Sequence, residues 1–87
     1  MPDNEIREWL LKTIQLMVDR PIDVAVEAVA GGRGTTYHIR TNPLDYGMVI
    51  GKQGRTARSL RTIAAAVGKK HGTECTLDIE CGAALKL

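Results

Sequence analysis

The feature that most constrains the fold is a pair of glycines, Gly51 and Gly54, placed between two stretches of helical pattern. Glycine adopts backbone conformations that a Cβ atom forbids, so a tight turn that can approach a ligand closely is expected here. The apolar period resumes directly after Gly54. The amides of Gly54, Arg55 and Thr56 are therefore expected to be free at a helix N-terminus, where a phosphate is favoured. Lys52 and Arg55 add two positive charges to the same turn.

The first helix is predicted to begin with a cap at Asp3 or Asn4 and to run to about Asp19, because Pro21 cannot continue it. A stripe of apolar residues recurs along it and is expected to lie against a sheet. The members of this stripe are Ile6, Trp9, Leu10, Ile14 and Met17, widened by Leu11, Leu16 and Val18.

Three segments alternate between apolar and polar residues and are predicted to be strands. The first, residues 22–30, places Ile22, Val24, Val26, Ala28 and Ala30 inward. A glycine-rich turn at residues 31–34 leads into the second, residues 35–41, with Tyr37 and Ile39 inward. A hairpin is expected from this pattern. The third, residues 75–81, places Cys75, Leu77, Ile79 and Cys81 inward.

Two further helices are predicted on either side of the glycine pair. Asn42 and Pro43 are typical of a helix start, which gives a short helix over about 43–50. A longer helix is predicted over about 55–67, and Gly68 is expected to end it. The order is therefore α-β-β-α-α-β, an α+β chain with a three-stranded sheet and its helices packed on one face.

Length and hydropathy limit the organisation further. Eighty-seven residues suit one domain, predicted over residues 1–81, with a C-terminal tail at 82–87. The longest apolar run, residues 63–67, is far shorter than the roughly 18 residues that a spanning helix needs. Together with a charged N-terminus, this predicts a cytoplasmic protein that does not enter a membrane.

Charge is distributed unevenly along the chain. Residues 46–73 carry six of the twelve Lys and Arg residues and none of the ten Asp and Glu residues. Such a segment is expected to attract a polyanion to one face of the molecule. Two interpretations fit Arg58 and Arg61, either contacts with nucleic acid or a solvated helix face. Lys69 and Lys70 fit two interpretations equally well, a basic pair at a helix C-terminus or contacts with nucleic acid.

Several functions are disfavoured by spacing. Only three residues separate Gly47 from Gly51, and Gln53 stands where a phosphate-binding loop of the Walker type needs Ser or Thr. His38, His71 and the cysteines form no recognisable catalytic arrangement, so the chain is expected to be neither an enzyme nor a holder of a metal or cofactor. With Trp9 and two tyrosines as its aromatic residues, the chain also lacks the material for a stacking platform.

A Gly-X-X-Gly turn between two helices, preceded by an aliphatic pair, is the mark of the KH module, which clamps about four nucleotides of RNA. The segment from Asp45 to Ile63, with weaker similarity from the first helix to about Glu80, resembles the bacterial single-KH-domain proteins of the KhpA family. The resemblance implies a type II KH fold, single-stranded RNA as ligand and RNA chaperone activity. It also implies a homodimer, or a heterodimer with a KhpB, Jag or EloR protein. The alternative function is such pairing itself, in control of cell elongation and shape.

The resemblance also assigns roles within the site. Gly51, Lys52, Gln53 and Gly54 correspond to the clamp, and Val49 and Ile50 to the apolar edge of the groove, although either of the two also suits the core. Charge adds Arg55 and Arg58 to the expected RNA-binding residues. Bases are expected over aliphatic side chains such as Ile50 and Ile39, which predicts a modest sequence preference.

Overall fold

The computed structural model describes the backbone of residues 2–81 and the side chains of residues 4–80, and the predicted tail at 82–87 lies outside this range. Within it the predicted order α-β-β-α-α-β and the α+β class are confirmed. The helices and strands are α1 (Pro2–Met17), β1 (Ala25–Gly31), β2 (Gly34–Thr41), α2 (Tyr46–Ile50), α3 (Arg55–Lys70) and β3 (Glu74–Cys81). No helix in the described range is long and apolar enough to cross a membrane.

The three strands form one mixed sheet in the order β1-β2-β3. The hairpin pairs β1 with β2 antiparallel, and β3 returns parallel to β2. The alternation predicted for β2 is confirmed, because Tyr37 and Ile39 are fully buried while His38 and Arg40 are only half-buried on the opposite face. In this register Leu77 of β3 lies beside Tyr37 and extends the buried face.

The helices cover the buried face of the sheet through α1 and α3, and their apolar stripes supply most of the core. The buried apolar side chains of these helices are Ile6, Leu10, Ile14, Ala57, Leu60 and Ala64. Contact between α3 and β3 is close at Gly68, where an added Cβ atom would lie 2.7 Å from Cys75 Sγ and 2.9 Å from Thr73 O. Gly68 therefore lets the helix approach the strand.

The prediction that Gly68 ends the third helix is wrong. The helix continues to Lys70, and the Thr73 amide donates to Gly68 O over 2.9 Å to close its end. In a sequence, a glycine near the end of a helical pattern is typical of a helix end. Here the missing side chain instead allows α3 to pack closely against β3.

The first strand is also shorter than predicted. Pro21–Asp23 form a 3₁₀ turn, closed by a 3.1 Å hydrogen bond from the Val24 amide to Pro21 O, so the strand begins only at Ala25. Ile22 is consequently 91% exposed, and the end of β1 that holds Ala28 and Ala30 is exposed as well. Val24 and Val26 alone among the expected inward residues are buried, because the helices cover only the beginning of this edge strand.

Helix boundaries differ in smaller ways. Helix α1 begins at Pro2, so Asp3 and Asn4 lie inside its first turn rather than at a cap, and it ends at Met17. Leu16, expected to widen the apolar stripe, is 88% exposed. Asn42 does act as a cap, accepting a 2.8 Å bond from the Leu44 amide, but a 3₁₀ turn over Pro43–Asp45 precedes α2.

Candidate functional site

The glycine turn joins α2 to α3 through an unusual run of backbone conformations. Gly51 has φ 81° and ψ 169°, Gln53 has φ 57°, and Gly54 has φ 74°. A Cβ atom on Gly51 would lie 2.8 Å from the Thr56 amide nitrogen, so this position excludes a side chain on both conformational and steric grounds. Because glycine alone adopts the Gly51 geometry readily, the tight turn predicted from the sequence forms here.

The hydrogen bonds of the turn are largely internal. The Gly51 amide donates to Gly47 O over 2.8 Å, and the Gly54 amide donates to Gly51 O over 3.0 Å. The Arg55 amide donates to Lys52 O. The expectation that the Gly54 and Arg55 amides are free for a phosphate is therefore wrong, because they stabilise the turn. Positive charge at this point comes chiefly from side chains.

Four exposed polar side chains surround the turn: Lys52, Gln53, Arg55 and Arg58. Lys52 and Gln53 occupy its tip, and Arg55 and Arg58 follow on the first turn of α3. The Arg58 guanidinium donates from Nη2 to Gln53 O over 3.1 Å, which holds its charge beside the tip. The structure thus brings together the four polar residues that the sequence predicted for the site.

A second row of groups lies where α3 passes β3. Arg61 reaches across from α3, and its Nε lies 3.5 Å from Leu77 O. Within the described residues β3 pairs with β2 alone, so its other side forms an open edge of the sheet. The basic side of α3 and the backbone edge of β3 therefore face a common groove. Sequence reasoning identified Arg61 but gave no indication of its partner.

The apolar residues of the site divide between core and surface. Val49 is fully buried and anchors α2 in the core, whereas Ile50 is half-buried beside the turn. Ile39 is fully buried, so the expectation that a base lies over it is wrong. Tyr46 packs against the core and is half-buried. Ile50 is thus the aliphatic side chain next to the turn that retains an accessible surface.

An ion pair between a buried carboxylate and a partly exposed arginine, which the sequence did not reveal, supports α2. Asp45 is fully buried directly before the helix, and its Oδ1 accepts a 2.8 Å bond from Arg20 Nη1. Its Oδ2 accepts from the Arg20 backbone amide over 3.0 Å. The pair joins the end of α1 to the start of α2 across 25 residues, a separation that no local pattern records. It also pairs Asp45, the acidic residue that precedes the turn in the sequence, with a positive charge.

A separate polar cluster occupies the opposite face of the sheet. His38 Nδ1 lies 3.1 Å from Asp78 Oδ2 and 3.1 Å from Glu80 Oε2, and Arg40 Nε donates to Glu80 Oε1 over 3.2 Å. The hydrogen bond from Arg40, followed by that from His38, lowers the pKa of the Glu80 carboxyl. This cluster lies away from the glycine turn, on the sheet face opposite the core.

Comparison with known proteins finds similarity over most of the chain, including the glycine turn. A family described as "KhpA/KhpB, KH domain" matches residues 7–79. A protein from Aquifex aeolicus named "RNA-binding protein KhpA" is 42% identical over 76 residues, which cover 87% of this chain and 96% of the relative. Proteins of the same name from Streptomyces coelicolor and Listeria monocytogenes are 43% and 36% identical, covering 88% and 85% of this chain and 94% and 97% of the respective relatives.

Proposed function

Since the chain belongs to the KhpA/KhpB family of KH-domain proteins, we propose that it binds single-stranded RNA by holding the RNA backbone against the Gly51–Gly54 turn. The observation that carries this proposal is the exposure of Lys52 and Gln53 at the tip of a turn whose glycines permit close approach. A phosphate placed there meets Lys52 directly and lies beside Arg55 and Arg58. Val49 contributes from the core, by fixing the end of α2.

Electrostatics favours this face over the others. Every acidic residue lies outside residues 46–73. Of the two that flank this segment, Asp45 is buried and paired with Arg20, and Glu74 lies beyond the C-terminal end of α3, away from the glycine turn. The phosphates of a single strand would therefore meet several cations and no exposed carboxylate along this part of α3. The outer face of the sheet carries Asp78 and Glu80 and is unsuited to a polyanion.

The groove between α3 and β3 suggests how the strand lies. Phosphates contact the turn and the basic side of α3, while bases face Ile50 and the open edge of β3 near Leu77 O. Contacts to the backbone position a strand without reading its sequence. A modest sequence preference follows, and it suits the RNA chaperone role that we propose for this protein, in which many transcripts are bound weakly.

A fluorescence titration of short single-stranded RNA tests the proposal. We compare wild type with Lys52→Asp/Gln53→Asp, which keeps both glycines and the core. The matched control Lys12→Asp/Gln15→Asp makes the same changes on α1, where Lys12 is exposed. Wild type and control are expected to bind with a log–log salt slope of about −0.7 per phosphate contact, and the turn variant to lose most of that affinity. Equal binding by a folded turn variant would refute the role of the turn.

A specific observation also favours pairing with another protein as a second candidate function. Ile63 is 48% exposed and lines an apolar groove between α1 and α3 together with Trp9 and Val67. This groove suits a homodimer or a heterodimer with a KhpB-type protein. Leu60, three residues before Ile63 on the same helix, is buried and cannot take part directly.

Sedimentation analysis distinguishes the two candidates. Ile63→Asp is expected to abolish self-association or association with a KhpB-type partner while leaving the turn intact. Lys52→Asp/Gln53→Asp is expected to leave association unchanged. If Ile63→Asp associates as wild type does, this groove is not the interface.

A further inference from the structure

A second cationic cavity lies at the far end of α3, away from the glycine turn. Three parts of the chain line it. Lys69 and Ala65 belong to α3, Thr73 to the turn before β3 and Thr76 to β3 itself, and Arg33 lies at the tip of the β1–β2 hairpin. Arg33 and Lys69 are both exposed, and their charges exceed that of Glu74, the one carboxylate among the lining residues.

The surface between the two sites is open to an extended strand. On α3, Arg58, Thr62, Ala65 and Lys69 follow one another at helical spacing and are all exposed. From Arg58 to Lys69 the helix rises about 16 Å. The side chains between these cations are small, so no bulky or acidic group interrupts the path from the turn to the cavity.

Several backbone carbonyls at the C-terminal end of α3 are hydrogen-bonded, unlike those of an uncapped helix, which would repel an anion more strongly. The amides of His71, Gly72 and Thr73 donate to the carbonyls of Gly68 and Lys69 over 2.9–3.1 Å, so these carbonyls already have partners. Hydrogen bonding of the terminal carbonyls reduces the negative potential that a helix otherwise presents there. The charges of Lys69 and Arg33 then dominate the cavity.

We propose that this cavity is a second phosphate-binding site, so that single-stranded RNA is bound along the whole length of α3, from the glycine turn to the hairpin tip. The proposal rests on the RNA-binding function proposed above. It assigns to Arg33, which lies outside the basic segment of the sequence, a contact with the RNA backbone. A KH clamp alone holds about four nucleotides, so the second site lengthens the bound stretch beyond that.

The experiment compares a uridine tetranucleotide, which matches the four nucleotides that a KH clamp holds, with a uridine dodecanucleotide long enough to reach both sites. Binding of each is measured for wild type, for Arg33→Ala/Lys69→Ala and for the control Lys12→Ala/Arg40→Ala, which removes the same charge elsewhere. The Arg33→Ala/Lys69→Ala variant is expected to bind the tetranucleotide as wild type does. For the dodecanucleotide we expect about tenfold weaker binding at roughly 0.1 M salt and a salt slope less negative by about 1.4.

Each outcome separates this inference from the proposed function. If wild type binds neither oligonucleotide, RNA binding itself fails and the second site with it. If wild type binds both and Arg33→Ala/Lys69→Ala binds the dodecanucleotide equally well, only the second site is overturned. An equal loss for both lengths, or the same loss in the control, would indicate a general charge effect and would also overturn it.

Discussion

Replacing Gly51 by alanine should destabilise the protein more than alanine at either neighbouring glycine. Gly51 combines φ 81° with ψ 169°, a region that is essentially confined to glycine and costs other residues about 1–3 kcal/mol. The new Cβ atom would also lie 2.8 Å from the Thr56 amide nitrogen, and crowding of this kind costs about 1–3 kcal/mol. The expected loss in the free energy of unfolding is therefore about 2–6 kcal/mol.

Two nearby glycines provide matched controls. Gly54 has φ 74° and ψ 14°, and its nearest contact for a Cβ atom is 3.9 Å away, so alanine there meets only the left-handed strain of about 1–2 kcal/mol. Gly47 lies within α2 with no atom inside 4 Å of an added Cβ atom. Alanine at Gly47 should stabilise the helix by about 0.5–1 kcal/mol.

Urea denaturation followed by the fluorescence of the single tryptophan, Trp9, measures all three variants. The expected order of stability is Gly47→Ala, wild type, Gly54→Ala and then Gly51→Ala. If Gly51→Ala were within roughly 0.5 kcal/mol of Gly54→Ala, the steric part of this reasoning would be refuted, because only the contact with Thr56 and the value of ψ distinguish the two sites.

Two other features give sharp expectations. Replacing Arg20 by methionine removes the guanidinium from buried Asp45 and should cost about 1.5–3 kcal/mol in a denaturation experiment. The same replacement in an Asp45→Asn background completes a double-mutant cycle, which isolates the interaction between Arg20 and Asp45. If Arg20→Met cost as much in that background, the pairing would be contradicted. Hydrogen bonds from Arg40 and His38 lower the pKa of Glu80 from 4.5, so their stabilisation is present above about pH 4.5 and is lost as the pH falls through the folded pKa. Wild type should therefore lose more stability than Glu80→Gln between pH 6 and pH 3, and parallel profiles would exclude this linkage.

The parts of the fold that could be predicted are those set by strict periodicity. β2 alternates without exception, and its Tyr37 and Ile39 are buried as expected. The prediction for the first strand was wrong at Ala28 and Ala30, which are exposed despite their inward pattern. The alternation of a sequence does not indicate how far the helices extend over an edge strand. The prediction that Gly68 ends the helix was wrong for a related reason, because the role of this glycine depends on the position of Cys75 in space.

The candidate site shows the same division. The glycines, Lys52 and Arg55 could be predicted as one group because they adjoin one another in the chain, and Lys52 and Arg55 are exposed at the turn. Hydrogen bonds inside the turn could not be anticipated, since they depend on the positive φ of Gln53 as well as on the glycines. Contacts between distant segments, such as Arg20 with Asp45, follow from the tertiary fold alone.

The central claim, that RNA is held at the glycine turn, is tested most directly by amide chemical shifts. A ¹⁵N-labelled sample is titrated with short single-stranded RNA and the shift of each backbone amide is followed. We expect the largest changes from Ile50 to Arg58, with smaller ones along β3 near Leu77 and none at Glu27 on the outer face of the sheet. Changes centred on β1, or an unchanged spectrum from Lys52 to Gly54 while RNA is bound, would contradict it.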